Sequence, residues 1–167
     1  MISNNHGHFM TVASSASYFS LPNLCAYSMS KTAALAFLES LRAELRAVYK
    51  ACRVRTSVVT PTKVRTVLAE GLNEGDDDFL MPVLEPIQVA RAMADTLNSG
   101  LSRNISLPLG SALLPYLRAL PERYRGALRA MGNTDALVTP DSISRGQQAL
   151  RGHQSNLDHM KKLGVHS

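Results

Sequence analysis

Short apolar runs alternate along the chain with longer segments of helical periodicity. Residues 9–13 form an apolar run that ends in a cluster of small polar residues, which is the pattern of a buried strand followed by a loop. Residues 54–59 are rich in β-branched side chains and stop at a Thr-Pro pair, and residues 104–108 form a third short run. We therefore predict three strands, the first of which brings Ser14 to its carboxyl end.

Helical patterns separate and follow these runs. The first opens at residues 21–23, and the second starts at Pro86 and continues to about residue 98. Residues 111–131 form a third amphipathic segment that two prolines interrupt. The periodicity fades from residue 139 onward, which predicts a polar, weakly ordered tail that is either weakly helical or disordered. The first pattern predicts one buried stripe, with apolar residues at alternating steps of four and three: Ala34, Leu38, Leu41, Leu45, Val48 and Cys52.

The order of these elements predicts the fold class. Strand, helix, strand, long loop, helix, strand favours parallel strands joined by right-handed crossovers, an α/β layered sheet. With 167 residues, the chain is expected to form one domain with an appendage. We assign residues 1–110 to the sheet domain, 111–138 to an amphipathic helical extension and 139–167 to the tail. The connection over residues 62–85 is long enough to suggest a functional loop.

The chain is basic, with 18 Lys and Arg against 13 Asp and Glu, a formal net charge of +5 and a pI of about 9.5. Two interpretations stay open, an ordinary solvated basic surface or attraction to an anionic partner. The pair Lys161-Lys162 is short and has no interleaved aromatic residues, so we expect no nucleic-acid partner. The histidines show no metal-ligand spacing, and we expect them to be solvated, with no metal site.

The cysteines and the amino-terminal residues bear on the cellular compartment. Cys25 and Cys52 form no CxxC or zinc spacing, so we expect reduced thiols. The first residues lack the basic start and apolar run of a signal peptide, and no apolar stretch is long enough to cross a bilayer. We expect an intracellular protein, either cytoplasmic or peripheral at a membrane surface.

The first helical segment carries a candidate catalytic pair. Tyr27 and Lys31 lie four residues apart, so they project from the same helix face. A nearby cation favours the phenolate, the form that a tyrosine needs to exchange protons near neutral pH. The pair alone is a weak signal, because a Lys follows a Tyr at this distance by chance in many sequences.

The surroundings of the pair make the signal specific. Ser14 precedes Tyr27 by thirteen positions and ends a strand, and a Leu-Pro pair and small residues lie between them. This arrangement resembles the short-chain dehydrogenase/reductase family over roughly residues 7–108. The sequence of residues 7–14 most resembles the branch of retinol dehydrogenases and 17β-hydroxysteroid dehydrogenases, which act on lipophilic alcohols. The resemblance implies a partial Rossmann-type parallel sheet, an NAD(P)-dependent oxidoreductase and a place in lipid metabolism.

The resemblance also implies roles for individual residues. Tyr27 is then the general acid/base that exchanges a proton with the substrate oxygen. Lys31 holds the nicotinamide ribose hydroxyls and favours the Tyr27 phenolate, and Ser14 hydrogen-bonds the substrate oxygen. Ser15 is the competitor of Ser14, and its position predicts a hydrogen-bonding role in the loop. The substrate is a small lipophilic alcohol or ketone, such as a retinoid, a steroid or a long-chain alcohol.

A second cofactor-binding segment follows the second strand. The family has Pro-Gly-x-x-x-Thr there, and the backbone and threonine of this motif hold the nicotinamide carboxamide. Pro61, Thr62, Val64 and Thr66 are the corresponding cofactor-binding candidates, with Tyr27 and Lys31. Thr62 replaces the usual glycine, which puts the backbone approach in question because glycine adopts dihedrals that threonine does not. Thr66 has an alternative role as an ordinary helix N-cap.

The glycine-rich dinucleotide turn of the family is missing. The chain contains no Gly-x-Gly, and only thirteen residues precede Ser14, where that turn and the catalytic asparagine belong. We therefore expect a truncated chain corresponding to the C-terminal half of such an enzyme, with an open edge at its first strand and doubtful activity alone. Whether the cofactor is NAD or NADP is left open.

A catalytically silent interaction module is the alternative function. Residues 111–131 place leucines beside arginines, which suits either a membrane-surface helix or a helix that covers the core. The helical region over residues 27–52 suits either a homodimer contact or packing against the sheet. Both pairs of alternatives stay open.

Overall fold

The chain forms a three-stranded parallel sheet in the order β1-β2-β3. The computed structural model describes residues 1–69, 82–131 and 139–162. The predicted α/β class is confirmed. The three strands occur as expected: β1 (Gly7–Val12), β2 (Val54–Pro61) and β3 (Asn104–Leu107).

β2 continues two residues beyond its predicted end and includes Pro61. The backbone N–H of Val58 donates to Arg103 and that of Thr62 donates to Leu107, so alternate residues of β2 face β3. The missing N–H of Pro61 therefore falls on the side of β1, and β1 ends at Val12. A proline at this position removes no hydrogen bond from the β2-β3 ladder.

In the ranges that the structure describes, five helices accompany the sheet, with short 3-10 turns at residues 15–17, 67–69 and 109–113. The first helix begins later than its sequence pattern, because Asn23 adopts a left-handed φ of 61° just before it. The second begins at the predicted proline and ends before Gly100, which is left-handed. The helices are α1 (Cys25–Ala47), α2 (Pro86–Ser99), α3 (Leu114–Leu117), α4 (Glu122–Met131) and α5 (Pro140–Lys162).

The core lies between α1 and the sheet. One buried cluster joins Leu35 and Leu38 of α1 to Ala13 and Val58. A second cluster at the other end of α1 consists of Leu45, Ala51 and Val54, with Leu41 against it. The helix therefore packs one face on the strands that precede and follow it in the chain.

The predicted stripe of α1 is wrong at its end. Val48 is 66% exposed and Cys52 is also exposed, because the helix stops at Ala47 and Lys50 turns the chain with a left-handed φ of 51°. Ala34 is only partly buried, and the buried position next to it is Leu35. The apolar periodicity identified the helix but misplaced part of its buried face.

Residues 140–162 form α5, where the faded periodicity predicted a weakly ordered tail. Pro140 opens the helix and Asp141 lies in its first turn, both favourable at a helix start. The Thr139 carbonyl accepts from the N–H of Ile143. The amphipathic segment 111–131 is split as its prolines predict, into α3 and α4. No helix in the described ranges is long and apolar enough to cross a membrane.

Candidate active site

Ser14 lies directly after β1, in the polar loop at the carboxyl end of the sheet. It is 5% exposed and caps the 3-10 turn at residues 15–17, where its Oγ accepts a hydrogen bond of 3.2 Å from the N–H of Ala16. The bond uses the oxygen as an acceptor, so the hydroxyl proton can still be donated to another oxygen. Ser15 contributes its carbonyl, which accepts from Tyr18 and Phe19.

Tyr27 and Lys31 lie on the first two turns of α1. The Lys31 ammonium is 5.7 Å from the centroid of the Tyr27 ring. The same ammonium donates a hydrogen bond of 3.2 Å to the carbonyl oxygen of Val12, the last residue of β1. Since Val12 is two residues before Ser14, the structure brings Lys31 to the strand end that carries Ser14.

A second hydrogen bond connects α1 to the loop that contains Ser14. The Thr32 hydroxyl donates to the carbonyl of Ser17 at 3.2 Å. Ser28, beside Tyr27, is buried at 5% exposure, and its hydroxyl has no partner in the described ranges. The helix start is therefore anchored by Lys31 and Thr32, about one turn after Tyr27, which is itself only partly buried.

The segment that follows β2 reaches the same end of the sheet. Pro61 is buried and Thr62 donates its N–H to the carbonyl of Leu107 at 2.9 Å. Val64 forms a parallel bridge with Leu84, which ties the loop to the segment that enters α2. The Thr66 hydroxyl donates to the Val64 carbonyl at 3.3 Å, and the Thr66 carbonyl accepts from the N–H of Ala69 in the 3-10 turn that follows.

Thr62 occupies the glycine position of the family motif without strain. Within the described ranges, the non-glycine residues with positive φ are Asn5, Asn23 and Lys50, so Thr62 has a backbone conformation open to any residue. Its Oγ1 is buried and has no hydrogen-bond partner in this part of the structure. A buried hydroxyl without a partner costs free energy, which makes this oxygen a candidate contact for a ligand.

Comparison with known proteins gives the family. The family model for short chain dehydrogenases matches residues 1–77. Estradiol 17-beta-dehydrogenase 11 of Pongo abelii is 39% identical over 131 residues, which cover 77% of this chain and 41% of that protein. Human 17-beta-hydroxysteroid dehydrogenase 13 is 33% identical over 133 residues, which cover 80% of this chain and 43% of that protein.

The chain belongs to the short-chain dehydrogenase family. The sequence-based identification is thus confirmed, in the branch of the 17β-hydroxysteroid dehydrogenases. A short chain dehydrogenase from Burkholderia cenocepacia, solved in complex with NADP, is 25% identical, with a TM-score of 0.55 over 83% of this chain and 50% of that one. The chain spans less than half the length of the two curated relatives, at 41% and 43%.

One contact at this candidate site was not predicted from the sequence. Arg118, just after α3, donates from Nη1 to the carbonyl of Ser17 at 3.0 Å, and so fastens the C-terminal helical extension to the turn beside Ser14. Arg129 of α4 lies 5.8 Å from the ring of Phe19 in the same loop. Residues 111–131 contain four arginines, and the sequence gives no signal that separates these two from the others.

Burial changes the pKa of a tyrosine in the Ser14 loop, Tyr18. The pKa of Tyr18 is raised, first by burial and then by the charge of Glu39, and Arg118 opposes the rise. Tyr18 packs against the core cluster of Leu35 and Leu38, so its phenol stays protonated at neutral pH. In the described ranges no group of three His, Cys, Asp or Glu side chains could hold a metal ion.

Proposed function

We propose that this chain carries the catalytic half-site of an NAD(P)-dependent oxidoreductase that interconverts a lipophilic alcohol and its ketone or aldehyde. The observation that carries the proposal is the position of Lys31, 5.7 Å from the Tyr27 ring centroid and hydrogen-bonded to the end of β1. Parallel α/β sheets bind their ligands at the carboxyl ends of the strands. The pair therefore lies where this fold binds substrates.

Each of the three catalytic candidates has a distinct task. Tyr27 exchanges the proton with the substrate oxygen, because its phenol is the proton donor of the set. Lys31 lies beside the Tyr27 ring and bonds the end of β1, and its remaining N–H groups can bind ribose hydroxyls. Ser14 donates its hydroxyl proton to the substrate oxygen, since its own oxygen already accepts from Ala16. General acid/base catalysis of this kind contributes about 10²- to 10⁴-fold to a rate.

The described residues suit the nicotinamide end of a dinucleotide. The bound cofactor supplies hydride exchange with the substrate carbon. Lys31 is available to its ribose, and the buried Oγ1 of Thr62, which lacks a partner in the described ranges, can bond its carboxamide. Pro61, Val64 and Thr66 shape the same loop. The Burkholderia relative contains NADP, and nothing on this half of the site selects between NAD and NADP.

The pyrophosphate end has no counterpart within residues 1–167, since the sequence contains no Gly-x-Gly. Glycines in that turn let the backbone approach the pyrophosphate at a helix N-terminus. We infer that activity needs a glycine-rich strand-turn-helix in addition to this chain. The names of the relatives, estradiol 17-beta-dehydrogenase and 17-beta-hydroxysteroid dehydrogenase, favour a steroid or another lipophilic alcohol as substrate.

The test joins the full chain to the upstream half of the Pongo abelii relative and follows the absorbance of reduced cofactor with estradiol or a long-chain alcohol. We expect hydride transfer that falls about 10²- to 10⁴-fold in Tyr27→Phe, which removes the proton donor and keeps the ring. Tyr49→Phe, just beyond the C-terminal end of α1, is the matched control and should keep full turnover. Equal turnover in both variants would exclude Tyr27 as the acid/base.

A silent interaction module is the second candidate. It is favoured by the exposed apolar side chains between the sheet and α4, Leu109 at 85%, Leu113 at 66% and Tyr116 at 73%. An apolar surface beside arginines suits contact with an anionic membrane surface. Exposed Met29 and Phe37 on α1 similarly suit a homodimer contact. Sedimentation with anionic vesicles, compared for Leu113→Ser and the wild type, tests the membrane alternative.

A further inference from the structure

A basic cleft lies at the opposite end of the sheet from the candidate active site. It has a volume of about 250 Å³ and is formed where β1 and β2 begin and where α2 ends. None of the described residues that line it is acidic. Four of the lining side chains are basic, and Leu97 and two glycines complete the wall: His6, His8, Arg53 and Arg55, with Gly7 and Gly100.

The two arginines differ in how they are held. Arg55 is fixed, since its Nε donates to the carbonyl of Gly100 at 2.8 Å and its Nη1 donates to the carbonyl of Cys52 at 3.4 Å. The side chain of Arg53 has no hydrogen bond or ion pair within the described ranges, and only its backbone N–H is used, by Asn5. One guanidinium is thus preorganised, and the other has all its donors available.

His8 also lines the cleft, with one ring nitrogen bonded and the other without a partner in the described ranges. Its Nε2 is 2.8 Å from the Oγ of Ser57, whose other acceptor neighbour, the carbonyl of Leu101, is 3.5 Å away. In the described ranges Nδ1 is buried and has no partner. Burial and the charge of Arg55 lower the pKa of His8, so the ring is neutral at pH 7.

We propose that this cleft binds a phosphate group, from inorganic phosphate, a phosphate monoester or a phospholipid headgroup. Guanidinium groups match phosphate oxygens through paired N–H donors, and two arginines line this cleft with no carboxylate among its described lining residues. The volume is below that of drug-sized ligand pockets, which fits a small anion. This inference does not rest on the proposed oxidoreductase activity, since none of the lining residues belongs to that site.

The test is a titration of the full, isotope-labelled chain with sodium phosphate at constant ionic strength, followed by NMR. We expect saturable shifts of the Gly7, Gly100 and histidine-ring signals. Arg53→Gln should weaken binding about tenfold or more, the value of a charge-assisted hydrogen-bond pair. Arg46→Gln removes an exposed charge on α1 outside the cleft and should leave the affinity unchanged.

A charge-conserving variant and two other phosphate ligands complete the test. Arg53→Lys keeps the positive charge but loses the paired N–H donors of the guanidinium group. Its affinity for phosphate should therefore lie between those of the wild type and Arg53→Gln. Glycerol 3-phosphate and vesicles of phosphatidic acid replace inorganic phosphate to identify the source of the group. Shifts that chloride reproduces, that do not saturate, or that are the same in Arg53→Gln and Arg46→Gln would overturn the proposal.

Discussion

The Lys31 ammonium donates a hydrogen bond to the carbonyl oxygen of Val12, 19 residues earlier in the chain. This bond connects the helix that bears Tyr27 to the last residue of β1. A lysine ammonium has three donors, so the bond leaves two for other oxygens. The same side chain can therefore hold the geometry of the site and contact a ligand within it.

Lys31→Ala should lower both turnover and cofactor affinity in the protein completed with an upstream half, because one ammonium serves Tyr27 and the ribose. Lys31→Arg keeps the positive charge and is expected to retain part of the cofactor affinity. Steady-state kinetics with varied cofactor separates the two effects. A fall in turnover with an unchanged Michaelis constant for the cofactor would contradict the ribose role.

Ser14→Ala should reduce turnover by more than tenfold, since it removes a donor to the developing charge on the substrate oxygen. Ser15→Ala is the matched control, one residue away in the same turn, and should keep most of the activity. Thermal unfolding of both variants shows how much of the effect comes from the lost cap on Ala16. If Ser15→Ala were the more damaging change, the serine assignment would move to Ser15.

The chain alone should bind a nicotinamide dinucleotide weakly, with a dissociation constant well above the micromolar range. Lys31 and the Pro61–Thr66 loop serve only the nicotinamide end, while pyrophosphate contacts need a glycine-rich turn. Fluorescence titrations with NADH and NADPH measure this. Micromolar binding, about −8 kcal/mol, would show that another element of the chain replaces that turn.

Leu38→Ala should destabilise the fold by about 2–5 kcal/mol, the usual cost of a cavity in a core. Leu38 is 1% exposed and lies in the cluster between α1 and the sheet. Val48→Ala, at a position that is 66% exposed, should cost less than about 0.5 kcal/mol. Urea unfolding of the two variants compares them. Similar losses would mean that the far end of α1 is buried in solution.

His8 should make stability fall as the solution is acidified. Its pKa in the folded chain is lowered by burial and by Arg55, so the unfolded chain binds the proton more readily. The contribution is complete above the unfolded pKa of about 6.5 and is lost as the pH falls through the lower folded value. His8→Gln should flatten this fall between about pH 7.5 and 5. An equally steep fall in His8→Gln would assign the effect to other groups.

Much of the architecture follows from the sequence because it depends on local periodicity. The three strands and the Pro86 start of α2 are set by β-branched runs and by turn residues. The end of the α1 stripe could not be predicted, since it depends on the left-handed turn at Lys50. For α5 the sequence predicted only a weakly helical or disordered tail, because its start signals lie in a segment with little apolar periodicity.

Some features of the candidate site could likewise be predicted from the sequence, and others depend on the folded structure. The spacing of Ser14, Tyr27 and Lys31 in the chain indicates a family motif, whereas the bond from Lys31 to Val12 depends on how the helix meets the strand. His8 was expected to be solvated, but its ring is partly buried and bonded to Ser57. A contact between residues 49 positions apart has no local signature in a single sequence. The same holds for Arg118 and Ser17.

Threonine at position 62 has a consequence for the order of the cofactor loop before any ligand arrives. A β-branched residue has far fewer accessible conformations than glycine in the unfolded chain, and Thr62 adopts its native backbone without strain. Replacing a glycine under those conditions stabilises a protein by about 0.4–1 kcal/mol, through the entropy of the unfolded state. The departure from the family motif therefore favours a preorganised loop, which loses less conformational freedom when a ligand binds.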